Sequence, residues 1–193
     1  MTAINLLLDN PQADLSELEC RVEDALIGVL AGDGPNLAPA GRRQLDSHIL
    51  EVAWVDDHDT SNFIFLVQDS EIPATWLMVN IPEQSVQDDV LFNLREELQI
   101  LNYDNLLLQA CSWSRGALTR LALTHDPRLA TDLRELLAQA FASPDVRQRE
   151  DASMAAQLAG PKPFADLLGS AFDKEANSGV KAMLEQVLNS VEC

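Results

Sequence analysis

Apolar side chains recur at helical spacing from Leu15 through Leu18, Val22, Ala25, Leu26 and Val29 to Leu30, and Asp14 ahead of them with Glu17 three positions on forms a capping-box pattern. The spacing predicts a first helix. Gly32-Asp33-Gly34-Pro35 must stop it, and the stretch to about Arg43 reads as a loop, because glycine and proline do not prolong a helix. From His48 to Gln68 the period drops to two. Leu50, Val52 and Trp54 share one face of a strand, Phe63, Phe65 and Val67 share one face of the next, and Asp56 to Asn62 between them is turn chemistry. A third strand follows Asp69 to Pro73, with Trp76, Met78 and Asn80 opposing Leu77, Val79 and Ile81, which makes a three-stranded meander.

Pro82 ends that strand, Ser85 is the expected cap, and Val86, Val90, Leu91, Leu94, Leu98 and Leu101 trace one helical stripe through Tyr103. Residues 106–124 suit either state, and Ser114-Arg115-Gly116 in their middle favours a second hairpin over a broken helix. Asp126 then caps a helix with Pro127 in its first turn and Leu129, Leu133, Leu136, Leu137 and Phe141 on its apolar face. Beyond Ser143-Pro144 come short amphipathic segments around Met154 to Leu158, Phe164 to Phe172 and Val180 to Val191. These have little to bury themselves against, so they dock on the main domain, on a second copy of the chain or on a partner. The expected fold is α+β: an antiparallel sheet of about five strands packed with helices in the order α-β-β-β-α-β-β-α over residues 1–142, followed by a helical C-terminal extension over 143–193.

Charge narrows the partners. The 193 residues carry a formal net charge of −18, of which residues 1–100 hold −15 and residues 101–193 hold −3. Such a surface repels nucleic-acid phosphates and anionic membranes, so neither is expected as a partner, and it favours a basic protein. The same surplus of acid also serves solubility. No apolar run approaches the length of a membrane span, and Met1 to Asn10 lacks the basic flank and long apolar core of a signal peptide, so a cytoplasmic location is expected. Cys20, Cys111 and Cys193 are odd in number and form no CxxC pair, which fits a reducing compartment better than a disulfide framework or a zinc site.

Catalytic chemistry has no foothold in the pattern. Asp56, Asp57, His58 and Asp59 crowd carboxylates as a hard cation would need, but an EF-hand frame starting at Asp57 meets Asn62 where glycine is required and Gln68 where glutamate is required. A solvated hairpin tip is the better reading. Gly32 and Gly34 follow a helix, not a strand, and no GxSxG, GK[ST] or HExxH motif occurs. His48, His58 and His125 fall where turns and strand ends place exposed side chains, and adjacent acids such as Asp88 with Asp89 or Glu96 with Glu97 point apart on a helix. No catalytic residue, cofactor site or metal ligand is therefore assigned.

The aromatic residues Trp54, Phe63, Phe65 and Trp76 serve the core by default, since one face of an antiparallel sheet must be buried. The other face is apolar too, through Ile49, Ala53 and Val55, Ile64 and Leu66, and Leu77, Val79 and Ile81. A sheet apolar on both sides needs two covers, which makes these four aromatics candidate partner-binding residues.

The order of elements over residues 14–142 and the acidic pI near 4.3 resemble the type III secretion chaperones of the CesT kind and the related YbjN-like domains. The local likeness lies in Leu98-Gln99-Ile100-Leu101-Asn102, in Leu106-Leu107-Leu108, in Leu121-Ala122-Leu123 and in the leucine-spaced helix from Leu129 to Phe141. The loop after the first helix and some fifty residues after Phe141 depart from that family's pattern. The resemblance implies a homodimer built around the second helix, with Leu91, Leu94 and Leu98 at its interface, that holds a client segment along apolar patches. It implies no catalytic residues. The expected function is a non-enzymatic, secretion-chaperone-like protein that binds another protein. The alternatives are an immunity or inhibitor protein that neutralises a basic partner through the acidic Asp56 to Asp59 loop, and an enzyme with an unrecognised site.

Overall fold

A computed structural model describes residues 3–10, 13–27, 35–124 and 126–191. The chain divides into two compact units, Met1–Leu101 and Asn102–Cys193. The sequence reading places its boundary at 142/143, after the helix that ends at Phe141. The stop at Gly32-Asp33-Gly34, His125 and Cys193 lie outside the described residues.

The first unit runs β1 (Ile4–Leu7), α1 (Leu15–Ile27), β2 (Leu37–Asp46), β3 (Ile49–Asp56), β4 (Phe63–Asp69), β5 (Ala74–Asn80) and α2 (Gln84–Glu97). Its five strands form one antiparallel sheet in the order β1-β5-β4-β3-β2. The α+β class and the strand number agree with the expectation, and β3, β4 and β5 are the meander. Two strands come from elsewhere than the sequence suggests. β1 is a four-residue strand too short for any periodicity to show. β2 occupies the stretch read as a loop, where Pro39 and Gly41 argue against a strand. An edge strand tolerates both, because a proline there costs no ladder donor and a bulge accommodates the glycine. The register indeed shifts between Pro39 and Gly41, and Gly41 has φ 100°.

One face of this sheet carries Leu6, Leu77, Leu66 and Val52 in one cross-strand row and Ile4, Val79, Ile64 and Trp54 in the next. Onto it pack Leu18, Val22, Ala25 and Leu26 of α1 and Val90, Leu91 and Leu94 of α2, closing a core with Leu98 beyond the helix end. The cap of α1 is as expected, with Asp14 Oδ1 accepting from the backbone N–H of Ser16 at 2.8 Å and of Glu17 at 3.3 Å. The cap of α2 is not: Glu83 precedes the helix with no side-chain cap bond, and Ser85 Oγ instead donates to the Glu83 carboxylate. α2 also stops at Glu97, short of Tyr103. The chain then returns to the first strand, Leu8 bridging Ile100 and Leu101 N–H donating to the Leu7 carbonyl at 2.8 Å.

The second unit is helical among the described residues: α3 (Tyr103–Cys111), α4 (Ala117–Ala122), α5 (Leu129–Phe141), α6 (Val146–Leu158), α7 (Ala165–Lys174) and α8 (Ser178–Asn189), with a 3-10 turn at Lys162–Phe164 before α7. The hairpin expected over 106–124 is thus two helices. Its turn residues do another job: Trp113 at φ 57° closes α3, its N–H and that of Ser114 donating to the Ala110 and Gln109 carbonyls, and Gly116 at φ 68° opens α4. Helix wins there because α4 packs on α6, whose Ala152, Ala155 and Ala156 are buried and which also packs on α5 and α8. The helices predicted in the tail are present.

Candidate functional site

The second face of the sheet holds four cross-strand rows, of which Ala74, Asp69 and Ile49 belong to the outermost and the other three build the candidate surface. Leu7, Trp76, Val67 and Glu51 form the first and are buried. Asn5, Met78, Phe65, Ala53 and Gly41 form the second, and Asn80, Phe63, Val55 and Ala38 the third. At the centre of these two, Phe63 and Phe65 stack with ring centroids 4.4 Å apart and planes 15° from parallel. Both rings, with Val55 and Met78 beside them, are half-buried. The stack follows from period two, which puts i and i+2 of one strand on one face. The Arg43 guanidinium sits 5.7 Å from the Phe65 centroid and pairs with the Glu51 carboxylate, whose side chain is only 6% exposed. The patch is therefore apolar at its middle and closed on one side by an ion pair that shields a buried charge.

Of the four aromatics singled out from the sequence, this face brings together three. Phe63 and Phe65 keep accessible surface. Trp76 lies on the same face but is buried, and Trp54, 1% exposed, is on the opposite face inside the core. Trp54 and Trp76 are thus corrected from surface to interior: alternation assigns a face, whereas tertiary packing, by α1 and α2 in the case of Trp54, decides what a partner can reach. Leu91, Leu94 and Leu98 are corrected likewise, since all three are spent in the core of their own unit and leave no side chain for a dimer mate. The apolar residue that α2 does turn outward is Phe92, 62% exposed, which lies off the leucine stripe and was not singled out for that reason.

The acidic hairpin tip is held by its own backbone. Asp56 Oδ1 accepts from the His58 N–H at 2.9 Å, and Asp59 Oδ1 accepts from the Ser61 N–H at 2.9 Å and hydroxyl at 2.7 Å, bonds that also hold the Asp59 carboxyl below its usual range. Among the described residues no group of three or more His, Cys, Asp or Glu converges as a metal would require. A cleft of about 440 Å³ opens at one end of the sheet among Gln44, Ser47, His48, Leu50, Gln68 and Asp69. Its polar groups already serve the fold: Asp69 accepts from the Glu71 and Ile72 N–H groups, Gln68 donates to the Ala13 carbonyl, Ser70 Oγ donates to the His48 carbonyl, and His48 Nε2 lies 3.3 Å from Glu71. A ligand site needs polar groups aimed inward.

The outer edge of β2 is the other feature the sequence conceals. β2 ends the sheet order, and eight of its ten residues are exposed. Arg42 reaches back over one face to Glu19 of α1, with Nε 2.9 Å from Oε2, while Arg43 reaches over the other to Glu51.

No helix among the described residues is long and apolar enough to cross a membrane. No protein-family model matches the chain, and neither a curated protein nor a solved structure is significantly similar to it.

Proposed function

We propose that this chain is a non-enzymatic protein-binding protein of the secretion-chaperone kind, which holds a segment of a client on the second face of its sheet. The observation that supports the reading is the stacked Phe63–Phe65 pair, flanked by Val55 and Met78 and half-buried in a unit of strong negative charge. Rigid aromatic surface of this sort brings a large apolar contact at small conformational cost, and surrounding acid selects a basic client and speeds encounter.

The test is a photo-crosslinking phenylalanine analogue placed at Phe63 in the cells that make the protein. One discrete adduct, lost when Phe65→Asp is added, supports the reading. Absence of any adduct, or an adduct indifferent to Phe65, refutes it. The acidic hairpin carries the rival reading, an inhibitor that plugs a basic site, because Asp57 and Asp59 are exposed at its tip. Asp57→Ser with Asp59→Ser separates the two: an inhibitor loses its partner, whereas a client held on Phe63 and Phe65 stays bound.

A further inference from the structure

We propose that the outward faces of α1 and α2 form a docking surface for a basic amphipathic helix of another polypeptide, with Ile27 and Phe92 as its apolar anchors. This surface is separate from the Phe63–Phe65 face, and the inference does not rest on a client being held there. The two helices repeat one five-residue order, Glu23-Asp24-Ala25-Leu26-Ile27 and Asp88-Asp89-Val90-Leu91-Phe92. In both, the third and fourth residues are buried in the core and the fifth turns outward, Ile27 at 70% exposed and Phe92 at 62%. Phe92 is the one exposed aromatic among the described residues. Helical spacing sets the two acids three and four positions before the anchor, on its own side of the helix, and Glu96 stands four positions beyond Phe92. The helices pack on one another, with Asn93 Nδ2 donating to the Ala25 carbonyl at 3.4 Å, so both anchors flank a single helix–helix contact. A pair of packed helices leaves a groove that accepts a third.

Charge selects the occupant. Asp24, Asp88, Asp89 and Glu96 are exposed, and none of them forms an ion pair among the described residues, although Asp88 accepts a hydrogen bond from Gln84 at 2.8 Å. Arg95 is the one cation on the same turn of α2. A second copy would set these carboxylates against their own counterparts across a two-fold interface, and anionic lipid and nucleic acid are repelled likewise. A lysine- or arginine-bearing helix instead meets carboxylates free of cationic partners around two apolar side chains, which is the complementary arrangement.

The experiment titrates the full chain into a fluorescein-labelled probe peptide of ~18 residues, with leucines at helical spacing and lysines between them, read by fluorescence polarisation at physiological ionic strength. The expected result is saturable binding that a shuffled peptide of the same composition lacks. Phe92→Ser weakens it by about tenfold or more, and Asp88→Asn with Asp89→Asn weakens it by a similar factor and flattens its salt dependence. Asp57→Asn with Asp59→Asn, the same change of charge at the hairpin tip, leaves the affinity within about twofold, as does Phe63→Ser. Absence of saturable binding, equal binding of the shuffled peptide, indifference to Phe92→Ser, or equal losses from the two asparagine pairs overturns the proposal. So does a loss on Phe63→Ser instead, which would put the peptide on the sheet. A Phe92-dependent dimer of the chain alone in sedimentation equilibrium overturns it too, because the face then belongs to a second copy.

Discussion

Replacing Asp151 with alanine is expected to loosen the helical unit from its centre. α4 is six residues long, and its N-cap is Gly116, which has no side chain to satisfy the first amides of the helix. Asp151 supplies the acceptor from α6: Oδ2 lies 3.3 Å from the Leu118 N and Oδ1 lies 3.2 Å from the Thr119 N, and the Thr119 hydroxyl also donates to Oδ1. Leu118 and Thr119 are buried, so truncation removes a cap worth about 1 kcal/mol and strands two amides at roughly 1–3 kcal/mol each before water relieves part of the loss. The expected destabilisation is about 2–4 kcal/mol. With a slope of ~1–3 kcal/mol per M in urea, far-UV circular dichroism should show the midpoint falling by about 1–2 M.

Asp151→Asn supplies the control. Burial pushes the Asp151 carboxyl up, against the Thr119 hydroxyl, the Thr119 and Leu118 amides and the nearby Arg120 charge, which all pull it down. A raised native value means that the stability this group contributes is fully present below the unfolded value of about 3.9 and is lost as pH rises through the native one. Wild type should therefore gain stability over the asparagine variant as pH falls from 7 toward 4, and asparagine, which keeps an acceptor without the charge, should cost less than alanine at neutral pH. An alanine variant within about 0.5 kcal/mol of wild type, or identical pH slopes for wild type and asparagine, would refute the reasoning.

Three further outcomes are expected. Arg149 donates from Nε to Glu175 at 2.8 Å and from Nη1 to the Ser143 carbonyl at 2.8 Å, with both side chains largely buried, so Arg149→Met should cost about 2–4 kcal/mol in urea unfolding. Because the hydrogen bond from Arg149 holds the Glu175 carboxyl below its usual range, the stability that pair provides is present above about pH 4.3 and lost as pH falls through the depressed value, and the acid-unfolding curve of Arg149→Met should lack that component. Trp54→Ala should cost about 3–5 kcal/mol while Phe92→Ser stays within about 0.5 kcal/mol, since the first empties the core and the second changes an outward side chain. Gly116→Ala, which forces a Cβ into the left-handed region at φ 68°, should cost about 1–2 kcal/mol by thermal unfolding.

Part of the candidate surface was readable from alternation alone. That Phe63 and Phe65 share a face follows from period two. The sequence reading sets Val55 on the other face with Ile64 and Leu77, and the register that pairs Val55 with Phe63 and Trp54 with Ile64 corrects it, because alternation within a strand does not fix the pairing between strands. Which aromatics a partner can touch was not readable. Trp54 and Phe65 look equivalent along the chain, yet Trp54 meets α1 and α2 and Phe65 does not. The same holds for Leu91, Leu94 and Leu98: a stripe announces that a helix buries one side, without saying whether its cover is this sheet or another molecule.

Within single segments the amino-acid order was sufficient. The Asp14 cap, the meander from Ile49 to Asn80, the leucine face of α2 and the helices of the tail arise from contacts a few residues long, and such contacts are present in any environment. β2 exists because β3 offers it a ladder, with Leu37 paired to Asp56 across the intervening chain, and that ladder outweighs the reluctance of Pro39 and Gly41. Residues 106–124 are helical because partners more than thirty positions away, Asp151 for the amides of α4 and the packing of α6 against it, complete what a helix needs there. Local propensity leaves such segments near balance, and the groups that tip them are brought close only by the folding of the rest.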